Sequence, residues 1–278
     1  MIPFDFEYYK PDTIEDAIKL FKELELSEKN PIYYGGGTEF ISMARMFNRY
    51  TGAVIDIKGI SECNVFEFKN DNLIIGSAVT LTKIAEENPF PLLTLTVKRI
   101  ADHTIQDKIT LGGNLIGTII YKEAILPLLL CNSEIVIQSS VCKKTVKAMD
   151  LYNEKLQLAD DEILVQVIID KKFLQLPYSH VKRTKNEKID YPLITMTSLK
   201  DNERISVAFS GLCKHPFRSI EIEEILNDRS ISKDKRIRKV INIIPYEILH
   251  DISGSSEYRK FVLYGMLYEL LNKFEGVS

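Results

Sequence analysis

Apolar residues recur along this chain in two rhythms. Over residues 13–24, "TIEDAIKLFKEL", Ile14, Ala17, Ile18, Phe21 and Leu24 fall on one helical face, with Thr13 as N-cap and Asp16 three residues on. A strand-like "IYY" follows, then three glycines, a helix over 39–47 and the strand "AVIDI" at 53–57, which together make a β–turn–α–β unit. A second α/β block begins with the strand "NLIIGS" and continues through helices over 80–88 and 91–102. After a second glycine turn in "KITLGGNLIG" (108–117) it runs through an apolar helix at 123–130 to strands at 134–139 and 162–170. Residues 171–177, "KKFLQLP", read as a crossing linker. Beyond it, "YSHVKRTK", "LITMTSL" and "RISVAFSGL" read as a strand meander. Helical periodicity then occupies about 217–227, 232–241 and 257–274, punctuated by Pro216, Pro245 and Gly254. Strands followed by helices predict a small α+β domain from about residue 175, appended to an N-terminal domain.

Composition narrows the class. The 278 residues are 45% hydrophobic and 27% charged, as in an ordinary globular protein of one large or two smaller domains. A formal charge of −3, with 36 basic against 39 acidic side chains, lacks the basic excess of a dedicated nucleic-acid binder. The basic stretch "KDKRIRK" at 233–239 reads as a solvated helix face. The start "MIPFDFEYYK" carries acids where a secretory leader would be apolar. Apolar runs such as "AILPLLLC" fall far short of the roughly 18 residues of a membrane span. A cytoplasmic location is expected. Cys63, Cys131, Cys142 and Cys213 include no close pair, and His103, His180, His215 and His250 are dispersed, so no metal site is expected on this chain.

The chemistry lies in the glycines. Gly35, Gly36 and Gly37 sit between a strand and a helix, where main-chain N–H groups and the helix dipole favour an anion, and where the missing Cβ lets a phosphate approach. Thr38 and Thr110 add hydroxyls, and Gly112-Gly113-Asn114 offers a second set of the same kind. Each cluster taken alone is equally a tight turn. Neither fits G-x-x-x-x-G-K-[ST] or G-x-G-x-x-G, which argues against a P-loop NTPase and a Rossmann nucleotide fold.

The ordered set is more specific than either loop. "GGGTEFISMAR" with "VIDIKGI", then "LIIGSAVTLTKIAE", "TLGGN", "DEILVQVII" and "FSGLCKHPFRSIEIEEILN" resembles, over nearly the full chain, the flavoprotein (medium) subunit of the molybdenum hydroxylases. That family includes xanthine dehydrogenase, aldehyde oxidase and carbon monoxide dehydrogenase relatives. The resemblance implies an α+β chain. It would have a vanillyl-alcohol-oxidase-type FAD-binding fold over 1–174, with α/β subdomains 1–58 and 59–174. A C-terminal domain over 175–278, an antiparallel sheet with a helical bundle, would follow. FAD is the implied cofactor, the diphosphate and its flanks falling to Tyr33, Tyr34, Gly35, Gly36, Gly37, Thr38, Glu39 and Phe40, and to Thr110, Gly113 and Asn114. Glu123 stands where the family places an aspartate against the adenosine part. Leu164 matches an apolar flavin contact, Ile100 a position that packs on the cofactor, and Lys182 a basic residue near the isoalloxazine, with His180 as the alternative.

The implied role is electron transfer, with no side chain acting as a proton-transfer catalyst. Electrons would pass from [2Fe–2S] clusters on a small partner subunit, through FAD, to NAD or another acceptor. The molybdenum cofactor would sit on a large partner subunit, with a purine such as xanthine as the favoured substrate. The rivals are a stand-alone flavin oxidase of the same fold and a scaffold subunit that has lost the cofactor. The chain departs from the family at 106–109, where Gln-Asp-Lys-Ile replaces an R-N-x-G pattern, and it lacks the cysteine-rich insertion of the branch with an extra iron–sulfur cluster.

Overall fold

The structure, a computed structural model, describes residues 1–186 and 190–276. The chain forms two units, each assembled from separate segments. Met1–Pro89, His103–Gly117 and Asn132–Lys171 make the first; Phe90–Asp102, Thr118–Cys131 and Lys172–Ser278 make the second.

In the first unit, β1 (Glu7–Tyr9), β2 (Ile32–Tyr34) and β3 (Ala53–Asp56) form a parallel sheet in the order β1-β3-β2. Parallel neighbours need crossovers, which α1 (Ile14–Leu26) and α2 (Thr38–Arg45) supply. Thr13 caps α1 by accepting from the Asp16 N–H, and the five apolar residues of its stripe are buried against β3 and its neighbours. The second sheet is antiparallel, in the order β4 (Phe66–Lys69), β5 (Asn72–Gly76), β10 (Ile163–Asp170), β6 (Glu134–Gln138), β7 (Lys143–Lys147). Asn70 and Asp71 both take positive φ, the two-residue hairpin geometry that joins β4 to β5. A two-residue pair, β8 (Tyr152–Asn153) and β9 (Lys155–Leu156), and the short helices α3 (Leu81–Glu87), α5 (His103–Gln106), α6 (Leu111–Ile116) and α8 (Ala148–Leu151) complete the unit.

In the second unit an antiparallel sheet of β11 (Tyr178–Thr184), β12 (Pro192–Asp201), β13 (Arg204–Ser210) and β14 (Phe217–Arg218) runs in chain order. The cross-strand row Val181–Met196–Phe209 packs with α9 (Ile220–Asn227), α10 (Lys233–Asn242) and α11 (Ser256–Glu275) in one apolar core. The adjacent row, Lys182–Thr195–Ser210, points to the other face by the period-two rule. Helices α4 (Pro91–Val97) and α7 (Ile125–Leu130) also pack on this sheet. The architecture is thus the expected mixture of α/β layers and an antiparallel sheet with helices.

Three local expectations need correction. The helix read over 91–102 ends at Val97, and Ala101 adopts a left-handed conformation that closes the segment. The second glycine turn is the first turn of a helix, because Thr110 caps it. The basic run on α10 is only partly solvated: Arg236 is buried, donating to Glu275 and to the Leu226 carbonyl. Strands β1, β4 and β7 were not among the elements read from the sequence; β7, "KKTVK", is mostly exposed.

Candidate functional site

The first glycine bend leaves the end of β2, where Tyr34 lies opposite Asp56 at the end of β3. Each glycine is required by a neighbour. A Cβ on Gly35 would stand 2.7 Å from the Thr110 Oγ1, one on Gly36 would stand 1.6 Å from the Lys108 carbonyl oxygen, and Gly37 has φ +69° with the Tyr34 ring against it. The bends therefore meet directly, and the Cβ sides of Gly35 and Gly36 are filled by protein rather than open for a ligand.

What remains open is the amide side. Gly37 is the N-cap of α2 and supplies no side-chain cap. Among the described residues the N–H groups of Gly36, Gly37 and Thr38 donate to no protein acceptor. Successive unpaired amides entering an eight-residue helix make a nest for an anion, reinforced by the positive end of the helix dipole. This arrangement fits a diphosphate.

The second bend is wired differently. Leu111 N–H donates to the Val79 carbonyl, Gly112 N–H to Ser77, Gly113 N–H to the Thr110 hydroxyl oxygen and Asn114 N–H to the Thr110 carbonyl. All four amides are occupied, so the expected second set of backbone donors is not there. The bend keeps the buried Thr110 hydroxyl against Gly35, and that hydroxyl's own proton is not used in accepting from Gly113.

The other first-unit residues divide between core and rim. The half-buried Tyr33 stacks on Phe21 at 4.9 Å and donates to the Asp161 carbonyl, and burial pushes its hydroxyl up in pKa. Phe40 is buried edge-on against Phe6 at 5.7 Å. The Glu39 carboxylate lies beside Gly117, where a Cβ would stand 2.6 Å from it. Leu164 is buried on β10 opposite Ile137, next to a register shift.

The residues of the second unit form a separate constellation. Ile100 is buried. Glu123 and Lys182, assigned by the resemblance to different parts of FAD, are joined in a buried ion pair at 3.0 Å. Thr195 donates to the other Glu123 oxygen at 2.5 Å, and Lys182 also donates to the Arg99 carbonyl at 2.7 Å. Burial raises the Glu123 pKa above the carboxylate range against the pull of Lys182 and Thr195. His180, two residues before Lys182, is held near a pKa of about 4 by desolvation and by Arg99 and Lys182, so it is neutral at pH 7. Among the described residues its buried Nε2 meets no hydrogen-bond partner.

Reading the sequence missed one cluster. Asp56, almost fully buried, accepts from the Tyr8 hydroxyl at 2.5 Å and from the Lys58 ammonium at 2.8 Å; that ammonium also donates to the Gly35 carbonyl at 2.7 Å. A charged residue at the end of an all-buried strand was the available signal, since such a group needs a partner. Among the described residues no group of three His, Cys, Asp or Glu is arranged to hold a metal ion, and no helix is long and apolar enough to cross a membrane.

Residues 4–171 match the family model described as the FAD binding domain in molybdopterin dehydrogenase. The nicotine 6-hydroxylase medium subunit of Paenarthrobacter nicotinovorans is 27% identical over 278 aligned residues, covering 96% of this chain and 94% of that one. The glyceraldehyde dehydrogenase medium chain of Sulfolobus acidocaldarius is 22% identical, covering 95% and 96%. Among solved structures, a chain of carbon monoxide dehydrogenase from Hydrogenophaga pseudoflava superposes with a TM-score of 0.87 at 19% identity, covering 99% of this chain and 98% of that one. A chain of quinoline 2-oxidoreductase from Pseudomonas putida 86 gives 0.84 at 19% identity, covering 99% and 98%.

Proposed function

The chain belongs to the family of FAD binding domains in molybdopterin dehydrogenases, and on that premise we propose that it is the electron-transferring flavoprotein subunit of a molybdenum hydroxylase-type complex in the cytoplasm. Its partners are a large subunit carrying the molybdenum cofactor and a small subunit carrying [2Fe–2S] clusters. NAD is the acceptor we favour. Relatives named as medium subunits of a nicotine hydroxylase and a glyceraldehyde dehydrogenase support this reading.

Bound FAD supplies a redox centre able to take electrons singly and pass them on in pairs. The residues of this chain bind and orient. The amides of Gly36, Gly37 and Thr38 hold the diphosphate, and the dipole of α2 adds to their field. Tyr34, closed over Gly37, and Glu39 flank the bend. Thr110 donates its hydroxyl from the facing turn, with Asn114 beside it. The observation that carries the reading is the run of three unpaired amides at an uncapped helix start.

The decisive experiment has two arms. The purified chain, mixed with FAD and desalted, is expected to retain the flavin bands in stoichiometric amount. The complex stripped of FAD is expected to lose NAD reduction while substrate still bleaches the [2Fe–2S] absorption. A chain that retains no FAD, or a stripped complex with full acceptor activity, overturns the proposal. Reduction of another acceptor in place of NAD overturns only the acceptor.

A further inference from the structure

Lys58 lies outside the glycine bend in sequence but is bound to it. Its ammonium donates to the Gly35 carbonyl at 2.7 Å and to Asp56 Oδ1 at 2.8 Å, and it sits 4.7 Å from the centre of the Tyr34 ring. Asp56 is itself fixed: the Tyr8 hydroxyl donates to its other oxygen, and the Lys58 main-chain N–H donates to Oδ1 at 2.9 Å. The register Tyr34↔Asp56 brings this brace to the same sheet edge from which the bend departs.

The geometry has a directional consequence. In a trans peptide the carbonyl and the N–H point in opposite directions. Tethering the Gly35 carbonyl to Lys58 therefore aims the Gly36 N–H away from Lys58, on the side where it meets no protein acceptor. The tether also turns a carbonyl oxygen away from the place where an anion would sit. Contact with the Lys108 carbonyl confines the Gly36 α-carbon, so the peptide has one tethered end and one packed end. Tyr34 links both devices, since its ring lies under Lys58 and against Gly37.

We infer that Lys58, held by Asp56 and Tyr8, is a positioning residue for a diphosphate-bearing ligand: by pinning the Gly35 carbonyl it sets the peptide orientation that presents the Gly36 amide. The inference rests on the FAD reading above and adds to it a residue outside the glycine bend. It assigns discrimination for the diphosphate to a brace rather than to the glycines alone.

The test uses the full chain carrying Lys58→Met, Lys58→Arg or Tyr8→Phe. Affinity for FAD is measured by flavin fluorescence, the phosphorus resonances of bound FAD by NMR, and the ligand-free chain by thermal unfolding. Lys58→Met is expected to weaken FAD about tenfold or more and to shift the phosphorus resonances, with the flavin absorption bands unmoved. Lys58→Arg is expected to return affinity to within about threefold of the parent. Tyr8→Phe, which leaves Lys58 in place and loosens only Asp56, is expected to weaken FAD two- to threefold, and it decides the matter if Lys58→Met does not fold. Parent-like affinity and phosphorus resonances in Lys58→Met, or in Tyr8→Phe should Lys58→Met not fold, overturn the inference. So does a loss that Lys58→Arg fails to rescue. Failure of the parent chain to bind FAD would instead overturn the reading on which the inference rests.

Discussion

The two glycine bends carry nearly the same signature, a glycine pair beside a threonine, yet the fold uses them in opposite ways. At "GGGT" the helix begins on a left-handed glycine with no side-chain cap, and three amides stay unpaired among the described residues. At "TLGGN" the threonine comes first, caps the helix, and the amides of residues 111–114 all find protein acceptors. The order of threonine and glycine thus separates a donor surface from a packing device. Glycine content does not.

Substitutions at the bends test that contrast. Gly36→Ala should act most strongly, because its Cβ meets a main-chain oxygen at 1.6 Å that cannot rotate away. A loss of about 3 kcal/mol or more in urea unfolding, with FAD binding abolished, is expected. Gly112→Ala comes next. Its Cβ would fall 2.7 Å from the Ser77 Cβ and 2.9 Å from the Ser77 oxygen, an overpacking cost of about 1–3 kcal/mol in the same assay. Removing the cap with Thr110→Val should cost about 1 kcal/mol, seen as a lowered unfolding midpoint. Gly113→Ala should change stability by no more than about 0.5 kcal/mol, since alanine's helix preference offsets one tight contact with Thr110 Oγ1 at 3.0 Å. Its FAD affinity should stay close to the parent's because the Gly113 amide already has its acceptor. A large and selective loss of FAD in this variant would break the contrast between the bends.

The subtlest test is acid titration of the brace. Burial by itself would raise the Asp56 carboxyl, but the hydrogen bonds from the Lys58 ammonium, the Tyr8 hydroxyl and the Lys58 N–H hold it below the ordinary carboxylate range. The stabilisation is therefore complete above the unfolded-state pKa and disappears as pH falls through the lower folded value. Stability against pH should show this acid step in the parent and lose it in Asp56→Asn, while Thr110→Val keeps it.

Much of the scaffold was legible because local chemistry decides it. The stripe of α1 and its capping residue Thr13 follow from short-range patterns that the structure reproduces. Elements without such a pattern were not legible. Strand β7 exists because β6 offers it an edge, not because "KKTVK" prefers to extend.

The sequence by itself determined where the two glycine bends fall, the alternation of helices and strands around them, and the likeness to a flavoprotein family. Tertiary structure alone decided which amides stay unpaired, that Glu123 and Lys182 would face each other, and that Lys58 would brace Gly35. The physical reason is the range of the competing interactions. Val79 and Ser77 take the amides of Leu111 and Gly112 from more than thirty positions away, and no local pattern reports an acceptor that distant.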